Sequence, residues 1–156
     1  MSSTSRPRRV LLKLSGESFG ASGQTGVSLR EVNQIAQQLA TVAKTGAQLA
    51  IVVGGGNIIR GATISKAGLS RPRADAMGML GTVANALVLE TAIERAGVSA
   101  RTMSALSMPQ VCETYERQRA LRHLEDGTIV VFAGGTGNPF FTTDTTAVLR
   151  AAELGS

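Results

Sequence analysis

The chain has 156 residues, of which 43% are hydrophobic and 17% charged, with 18 glycines and one cysteine. This length suits one domain with its own core, and the composition excludes a disordered or collagen-like chain. A single cysteine excludes an internal disulfide framework. The longest apolar runs are strand-sized, so we expect no membrane-spanning segment, and Met1 to Arg9 is not followed by a signal-peptide core. We therefore expect a cytoplasmic globular protein that does not bind membranes.

The formal net charge is +5, from 16 basic and 11 acidic residues, and arginine far outnumbers lysine. Guanidinium suits phosphate and carboxylate ligands because it offers a planar fork of donors. A basic chain can also bind nucleic acid. We do not expect nucleic acid as the partner, because the basic residues are dispersed after the first nine positions and aromatic residues for base stacking are scarce.

The predicted elements alternate between strands and helices along the chain. After an expected flexible basic tail over 1–7, apolar patterns predict strands over 8–14, 47–53, 98–103 and 128–133, with helices over 29–44, 75–96, 112–125 and 145–154. This alternation is typical of a parallel sheet with right-handed crossovers. The predicted fold class is α/β, an open and mainly parallel sheet with helices on both faces, formed by a single domain over 8–156.

Local signals refine three of these boundaries. Ser28 and Glu31 have the spacing of a capping box before the first helix. The Gly/Ser-rich segment 18–27 is expected to be a mobile loop. Asp144 or Thr143 is expected to cap the last helix.

Three of the four predicted strands end in glycine-rich or polar turns, at 15–17 (SGE), 54–57 (GGGN) and 134–138 (GGTGN). Ligands of open α/β sheets bind outside the carboxyl ends of the strands. Glycine lets backbone N–H groups approach an anion there without obstruction by a Cβ. One such turn is equally consistent with a tight connection, but three at one sheet edge favour a phosphate or nucleotide site.

The common alternatives to such a site are absent from the sequence. No Walker A motif occurs, and the dinucleotide fingerprint fails because Ile59 stands where its third glycine belongs. The only histidine, His123, is expected on the surface, and Cys112 has no partner at ligand spacing, so we predict no metal site and no Ser-His-Asp or Cys-His mechanism. Phosphoryl transfer needs mainly cations and backbone donors. Lys13 and Arg60 stand beside glycine turns and are the candidates, although each is also consistent with an ordinary surface charge.

Four segments are distinctive together: KLSGE at 13–17, GGGNIIRG at 54–61, DAMGML at 75–80 with Asn85 downstream, and GTGNPFFTTD at 135–144. In this order and spacing they resemble the bacterial uridylate (UMP) kinases of the amino-acid-kinase superfamily, over nearly the whole chain. The resemblance implies an amino-acid-kinase-like, three-layer αβα fold. It also implies transfer of the γ-phosphoryl group of ATP to UMP, giving UDP and ADP, with Mg²⁺ bound through the nucleotide phosphates.

The resemblance also assigns roles to individual residues. It implies catalytic roles for Lys13, which would stabilise the transferring group, for Arg60, and for Asp144, which would orient phosphates or metal. Asp75 would accept hydrogen bonds from the uridine side. The implied ATP site comprises Lys13, Leu14, Ser15, Gly16, Gly56 and Arg60. The implied UMP site comprises Gly55, Asp75, Thr136, Gly137, Asn138, Pro139, Phe140, Phe141, Thr142 and Thr143, where Phe140 and Phe141 would be apolar walls or, equally, core residues.

Regulation and assembly are implied in the same way. The loop over 19–26 resembles the region through which the family responds to GTP. Family members are typically hexamers that GTP activates and UTP inhibits, so we expect a homo-oligomer with these two nucleotides as effectors.

The chain differs from the family pattern at its end. Family members continue into a segment that holds the adenine and ribose of ATP, whereas this sequence ends at Ser156. We therefore expect a chain truncated relative to the family, carrying the UMP-binding half. The alternatives are a non-catalytic UMP-binding module and another superfamily member that acts on a carboxylate or carbamate.

Overall fold

The structure, a computed structural model, describes residues 8–59 and 61–156. The predicted tail over 1–7 and Arg60 lie outside the described residues. Five parallel strands form one sheet in the order β1-β2-β5-β3-β4. The strands are β1 (Arg9–Leu14), β2 (Gln48–Val53), β3 (Ala100–Ser104), β4 (Glu113–Thr114) and β5 (Ile129–Ala133), and the helices are α1 (Leu29–Ala43), α2 (Gly61–Lys66), α3 (Arg71–Arg95), α4 (Arg117–Glu125) and α5 (Thr143–Leu154).

The sheet separates two apolar cores because successive strand residues point to opposite faces. In β2, Leu49, Ile51 and Val53 face α1 and α3, whereas Ala50 and Val52 face α4 and α5. All six residues of β2 are buried, which is typical of a parallel strand covered on both sides. The predicted α/β class with helices on both faces is therefore confirmed.

The prediction of one helix over 112–125 is wrong in its first turn. Glu113 and Thr114 instead pair with the end of β3 as the short strand β4. Helix α4 begins only after Glu116, whose carboxylate accepts hydrogen bonds from the N–H groups of Gln118 at 2.8 Å and Arg119 at 2.9 Å. Pairing with a neighbouring strand overrides the helical pattern here.

The caps and the glycine-rich loop also differ from prediction. Ser28 makes no side-chain capping bond, and Thr142, not Thr143 or Asp144, caps α5 by accepting from the Thr145 N–H at 3.2 Å. The loop predicted over 18–27 is held at both ends. A 3₁₀ turn over Gly16–Phe19 buries the Phe19 side chain completely, and the Gly26 N–H donates to the carbonyl of Asn57 at 2.7 Å.

Helix α3 is longer than predicted and begins at Arg71. Its length and its mean hydropathy of 1.5 over the best 18-residue window would allow it to cross a membrane, and 44% of that window is buried inside the protein. The expectation that no segment is long enough to span a membrane is therefore wrong, judged by length and composition alone. The helix packs against β3, β5 and α1. Its buried apolar residues, such as Leu89 and Ile93, belong to the core of the domain, whereas Leu80 is exposed.

Candidate functional site

The three turns predicted to meet at one sheet edge do so because β1, β2 and β5 are neighbours in the sheet. The Gly54 N–H donates to the Leu14 carbonyl at 2.8 Å. A methyl group on Gly16 would collide with the backbone nitrogen of Gly56, and one on Gly55 would lie 2.7 Å from the Gly78 carbonyl of α3. The first two turns and α3 therefore pack backbone against backbone, which only glycine permits.

A cavity of about 390 Å³ opens between these turns, α3 and the segment after β5. This volume lies in the usual range of small-molecule sites. Seven residues predicted for nucleotide binding line it: Gly55, Gly56, Asp75, Thr136, Asn138, Phe141 and Thr143. Three parts of the chain that are distant in sequence thus contribute to one site.

The other predicted residues lie around the cavity or outside it. Gly137, Pro139, Phe140 and Thr142 belong to the same segment, 134–143, but do not line the cavity. The predicted residues of the first turn, Lys13, Leu14, Ser15 and Gly16, also lie outside it. The predictions for Phe140 and Phe141 as core residues are wrong, because their exposures are 62% and 57%.

Several lining residues were not predicted, and most belong to one face of α3. Arg71, Ala74, Asp75, Gly78, Met79 and Thr82 recur at intervals of three and four positions and so share a face. This spacing around Asp75 is the sequence signal that could have revealed them. Ile59 and Ile64 add an apolar side to the cavity.

Asp75 joins α3 to the segment 134–143, here called the acceptor loop. Its carboxylate accepts the Phe140 N–H at 2.7 Å and the Arg71 Nε at 2.9 Å. The Phe140 hydrogen bond, with further help from Arg71, holds the pKa of the Asp75 carboxyl below its usual value. Phe140 is also the one residue other than glycine with positive φ, 71°, in the part of the chain that the structure describes. The Asp75 carboxylate at the cavity wall is thus held in its ionised form. Its hydrogen bond to the Phe140 N–H also stabilises the strained backbone of Phe140.

Thr82 joins α3 to the start of the acceptor loop. Its hydroxyl donates to the Met79 carbonyl at 2.6 Å and accepts from the Gly134 N–H at 2.7 Å. The side chain has only 3% exposure. In the described part of the chain, the Thr82 hydroxyl is the acceptor found for the Gly134 N–H. This hydrogen bond lies next to the cavity wall.

Asn57 and Asn85 form a buried amide pair behind the glycine turn. Asn85 Nδ2 donates to the Gly54 carbonyl at 2.7 Å and to Asn57 Oδ1 at 2.7 Å. Asn57 Nδ2 donates to Asn85 Oδ1 at 3.1 Å and to the Gly26 carbonyl at 3.0 Å. Buried polar groups need such partners, so this pair links α3, the glycine turn and the loop before α1.

Lys13 and Asp144 form an ion pair at the same sheet edge. Lys13 Nζ lies 3.1 Å from Asp144 Oδ1, and the Asp144 side chain is 79% exposed. An exposed pair of this kind adds little to stability. The pair nevertheless brings two residues with predicted catalytic roles into contact, from the end of β1 and the first turn of α5.

A second cavity, of about 800 Å³, lies beside the first. It is lined by residues of the loop between β1 and α1, including Glu17, Ser18 and Gln24. Gly56 and Ile59 line both cavities. The turn after β2 therefore forms the wall between them.

The described residues offer no ready-made metal site. Among residues 8–59 and 61–156, no group of three or more His, Cys, Asp or Glu side chains could hold a metal ion. His123, expected on the surface, is partly buried, with its Nε2 3.0 Å from Glu113 Oε2. Mg²⁺ is usually held by one or two carboxylates together with substrate phosphates. The exposed Asp144 carboxylate beside Lys13 fits that kind of binding.

Residues 8–156 match the model of the amino acid kinase family. The chain belongs to this family, as the fold and the glycine turns at its sheet edge indicate.

The relatives and solved structures that it resembles are uridylate kinases. It is 57% identical over 149 residues to a uridylate kinase of Rhodopseudomonas palustris strain BisB18, covering 96% of this chain and 63% of that protein. A uridylate kinase of Nitrobacter hamburgensis is 55% identical with the same coverage. The crystal structure of UMP kinase from Bacillus anthracis superposes with a TM-score of 0.92 at 38% identity, over 97% of this chain and 63% of that one. The resemblance to uridylate kinases is thus confirmed, and the chain spans less than two thirds of their length.

Proposed function

We propose that residues 8–156 form one α/β domain that carries the UMP-binding half of a uridylate kinase. The full reaction would transfer the γ-phosphoryl group of ATP to UMP, giving UDP and ADP. The observation that carries this proposal is the cavity of about 390 Å³, in which Gly55, Asp75 and Thr136 meet from three separate elements. Similarity to uridylate kinases over 96% of the chain supports the choice of UMP as the acceptor.

In this proposal the two nucleotides bind on opposite sides of the turn after β2. UMP would lie in the first cavity, with its ribose hydroxyls donating to Asp75 and its phosphate near backbone N–H groups of the acceptor loop and the start of α5. The donor phosphates would lie towards Ser15, Gly16 and Gly56. Arg60, outside the described residues, remains part of this proposal through the resemblance alone.

Lys13 would stabilise the charge that develops on the transferring group, because a positioned cation lowers the barrier to phosphoryl transfer. Asp144 would hold Lys13 in place, 3.1 Å away, and would contact the Mg²⁺ that enters with ATP. The metal would neutralise phosphate charge.

The remaining parts of the proposal come from the relatives as a group. We propose a cytoplasmic location, a homo-oligomer that is a hexamer as in the family, and GTP and UTP as effectors. The loop that lines the second cavity and contains Gln24 would take part in the response to GTP.

Calorimetry with UMP and with ATP, followed by an assay of ADP formation, tests the function. Binding of UMP with turnover supports the kinase. Binding of UMP without ATP binding or turnover shows a UMP-binding module. No UMP binding, together with direct binding of a carboxylate such as acetylglutamate or of carbamate, would point to another member of the family.

Two substitutions separate the proposed roles. Asp75→Ala should weaken UMP binding roughly tenfold, because a charged acceptor is lost. Lys13→Ala should leave UMP affinity near wild type and lower turnover by about 100-fold or more. Asp126→Ala and Lys44→Ala remove exposed charges outside the cavity and serve as matched controls. Equal losses of affinity and turnover in both variants would contradict the assigned roles.

A further inference from the structure

The face of α3 that lines the cavity contains three polar side chains that bond to the backbone of other segments. Asp75, Thr82 and Asn85 each bond to a different position of the two glycine-containing segments: Asp75 to Phe140, Thr82 to Gly134 and Asn85 to Gly54. Resemblance to the family assigns a ligand only to Asp75. Of these three residues, Thr82 is therefore the one whose role is unassigned and which also lines the cavity.

The direction of the Thr82 hydroxyl is determined by its two bonds. A hydroxyl has one proton to donate, and that proton goes to the Met79 carbonyl one turn earlier in α3. A lone pair is thereby left to accept the Gly134 N–H at 2.7 Å. Because this bond is buried, the amide would have no water to replace Thr82 if the hydroxyl were removed.

Gly134 is the point at which the acceptor loop leaves β5. It has a φ of 76°, and a Cβ at this position would lie 2.9 Å from Ser104 Oγ. The Gly137 N–H then donates back to the Gly134 carbonyl at 2.9 Å. The bonds to the Gly134 N–H and to the Gly134 carbonyl thus hold the two peptide units that begin the turn bringing Thr136 to the cavity.

We propose that Thr82 is a positioning residue that orients the acceptor loop for UMP through the Gly134 amide. The inference rests on the proposed function, because it names the acceptor loop as the part that meets UMP. Thr82 makes no bond to the turn after β2, whose Gly56 would face ATP. Its effect should therefore fall on UMP and not on ATP.

The test compares three variants of the full chain. Thr82→Val keeps the shape of the side chain and removes the hydroxyl, and Thr82→Ser restores it. Thr91→Val is the matched control, because Thr91 is exposed on the same helix and its hydroxyl donates to the Leu87 carbonyl at 2.9 Å without bonding to any loop. Calorimetry measures UMP and ATP affinities, and amide hydrogen exchange measures protection of Gly134.

The expected result is a specific loss at Thr82. Thr82→Val should bind UMP about tenfold more weakly, the equivalent of one lost hydrogen bond, with ATP affinity unchanged and faster exchange of the Gly134 amide. Thr82→Ser should return to within about twofold of wild type, and Thr91→Val should match wild type throughout.

Two outcomes would overturn the inference. One is an unchanged UMP affinity in a folded Thr82→Val chain, and the other is an equal loss of affinity for both nucleotides, which would indicate general loosening. If Thr82→Val does not fold, Thr82→Ala with the same readouts replaces it. If the wild-type chain binds no UMP, the proposed function is wrong, and exchange of the Gly134 amide alone decides whether Thr82 holds the loop.

Discussion

The two faces of the sheet use buried polar groups in different ways. On the face covered by α1 and α3, Thr82 and Asn85 bond to the backbone of the turns that form the cavity. On the face covered by α4 and α5, Arg150 bonds to Glu153 at 2.7 Å and stacks over the ring of Tyr115, 3.8 Å from its centroid. The first set bonds to loops, and the second joins α5 to the residue that follows β4. Burial of a polar group therefore indicates function only when its partner belongs to a site.

The largest effect should come from the amide pair on the α3 side. Asn85→Ala would remove the donor to the Gly54 carbonyl and to Asn57 Oδ1, and Asn85 is completely buried. We expect the free energy of unfolding to fall by about 2–4 kcal/mol. Denaturant unfolding of this variant and of Asn33→Ala, an exposed position on α1, measures the difference. A loss as small as that of the control would contradict the role given to the pair.

A smaller loss of stability is expected from a substitution on the face covered by α4 and α5. Arg150→Met replaces a buried cation, 5% exposed, with an apolar side chain of similar length. The Glu153 carboxylate that loses this partner is 30% exposed, so water can solvate it and the full penalty of an unpaired buried charge does not arise. We expect a change in unfolding free energy of no more than about 1–2 kcal/mol and no change in UMP affinity. Denaturant unfolding and UMP calorimetry check both. Weaker UMP binding would show that this face also supports the site.

The smallest effect concerns the ionisation of Tyr115. Burial, followed by the hydrogen bond to Glu153, raises the pKa of Tyr115 to about 12 from an ordinary value of 10. Because the folded protein holds this proton more tightly, the stability it contributes is complete below pH 10 and is lost as the pH rises towards about 12.

Tyr115 is the only tyrosine and the chain has no tryptophan, so absorbance of the phenolate reports this group alone. The native chain should titrate near 12 and the chain unfolded in denaturant near its ordinary value of about 10. Equal midpoints in the two states would mean that the cluster with Arg150 and Glu153 does not form in solution.

The sequence predicted correctly those strands whose pattern lies within one continuous segment. Strands β1, β2 and β5 are apolar runs that end in turns, and these turns meet because parallel strands align their ends. Strand β4 was missed because two residues, Glu113 and Thr114, carry no pattern of their own and depend on β3. Helix α2, between Gly61 and Lys66, was missed because it is short and begins with glycine.

The site was predicted where motifs contain it and missed where it depends on contacts between distant segments. Asp75 and Thr136 were identified from their motifs. The bond from Gly134 to Thr82 spans 52 residues and exists only because β5 lies between β2 and β3. Neither residue carries a local sign of the other, so the bond between Thr82 and Gly134 emerged only from the fold.

The position of β5 also affects how the protein is made. This central strand is the last of the five in the chain, so β2 and β3 have no common partner until residues 129–133 have left the ribosome. During synthesis one edge of β2 and one edge of β3 would remain unpaired, and unpaired strand edges can associate with other chains. The order of the strands therefore leaves one edge of β2 and one edge of β3 open during synthesis until β5 emerges and pairs with both.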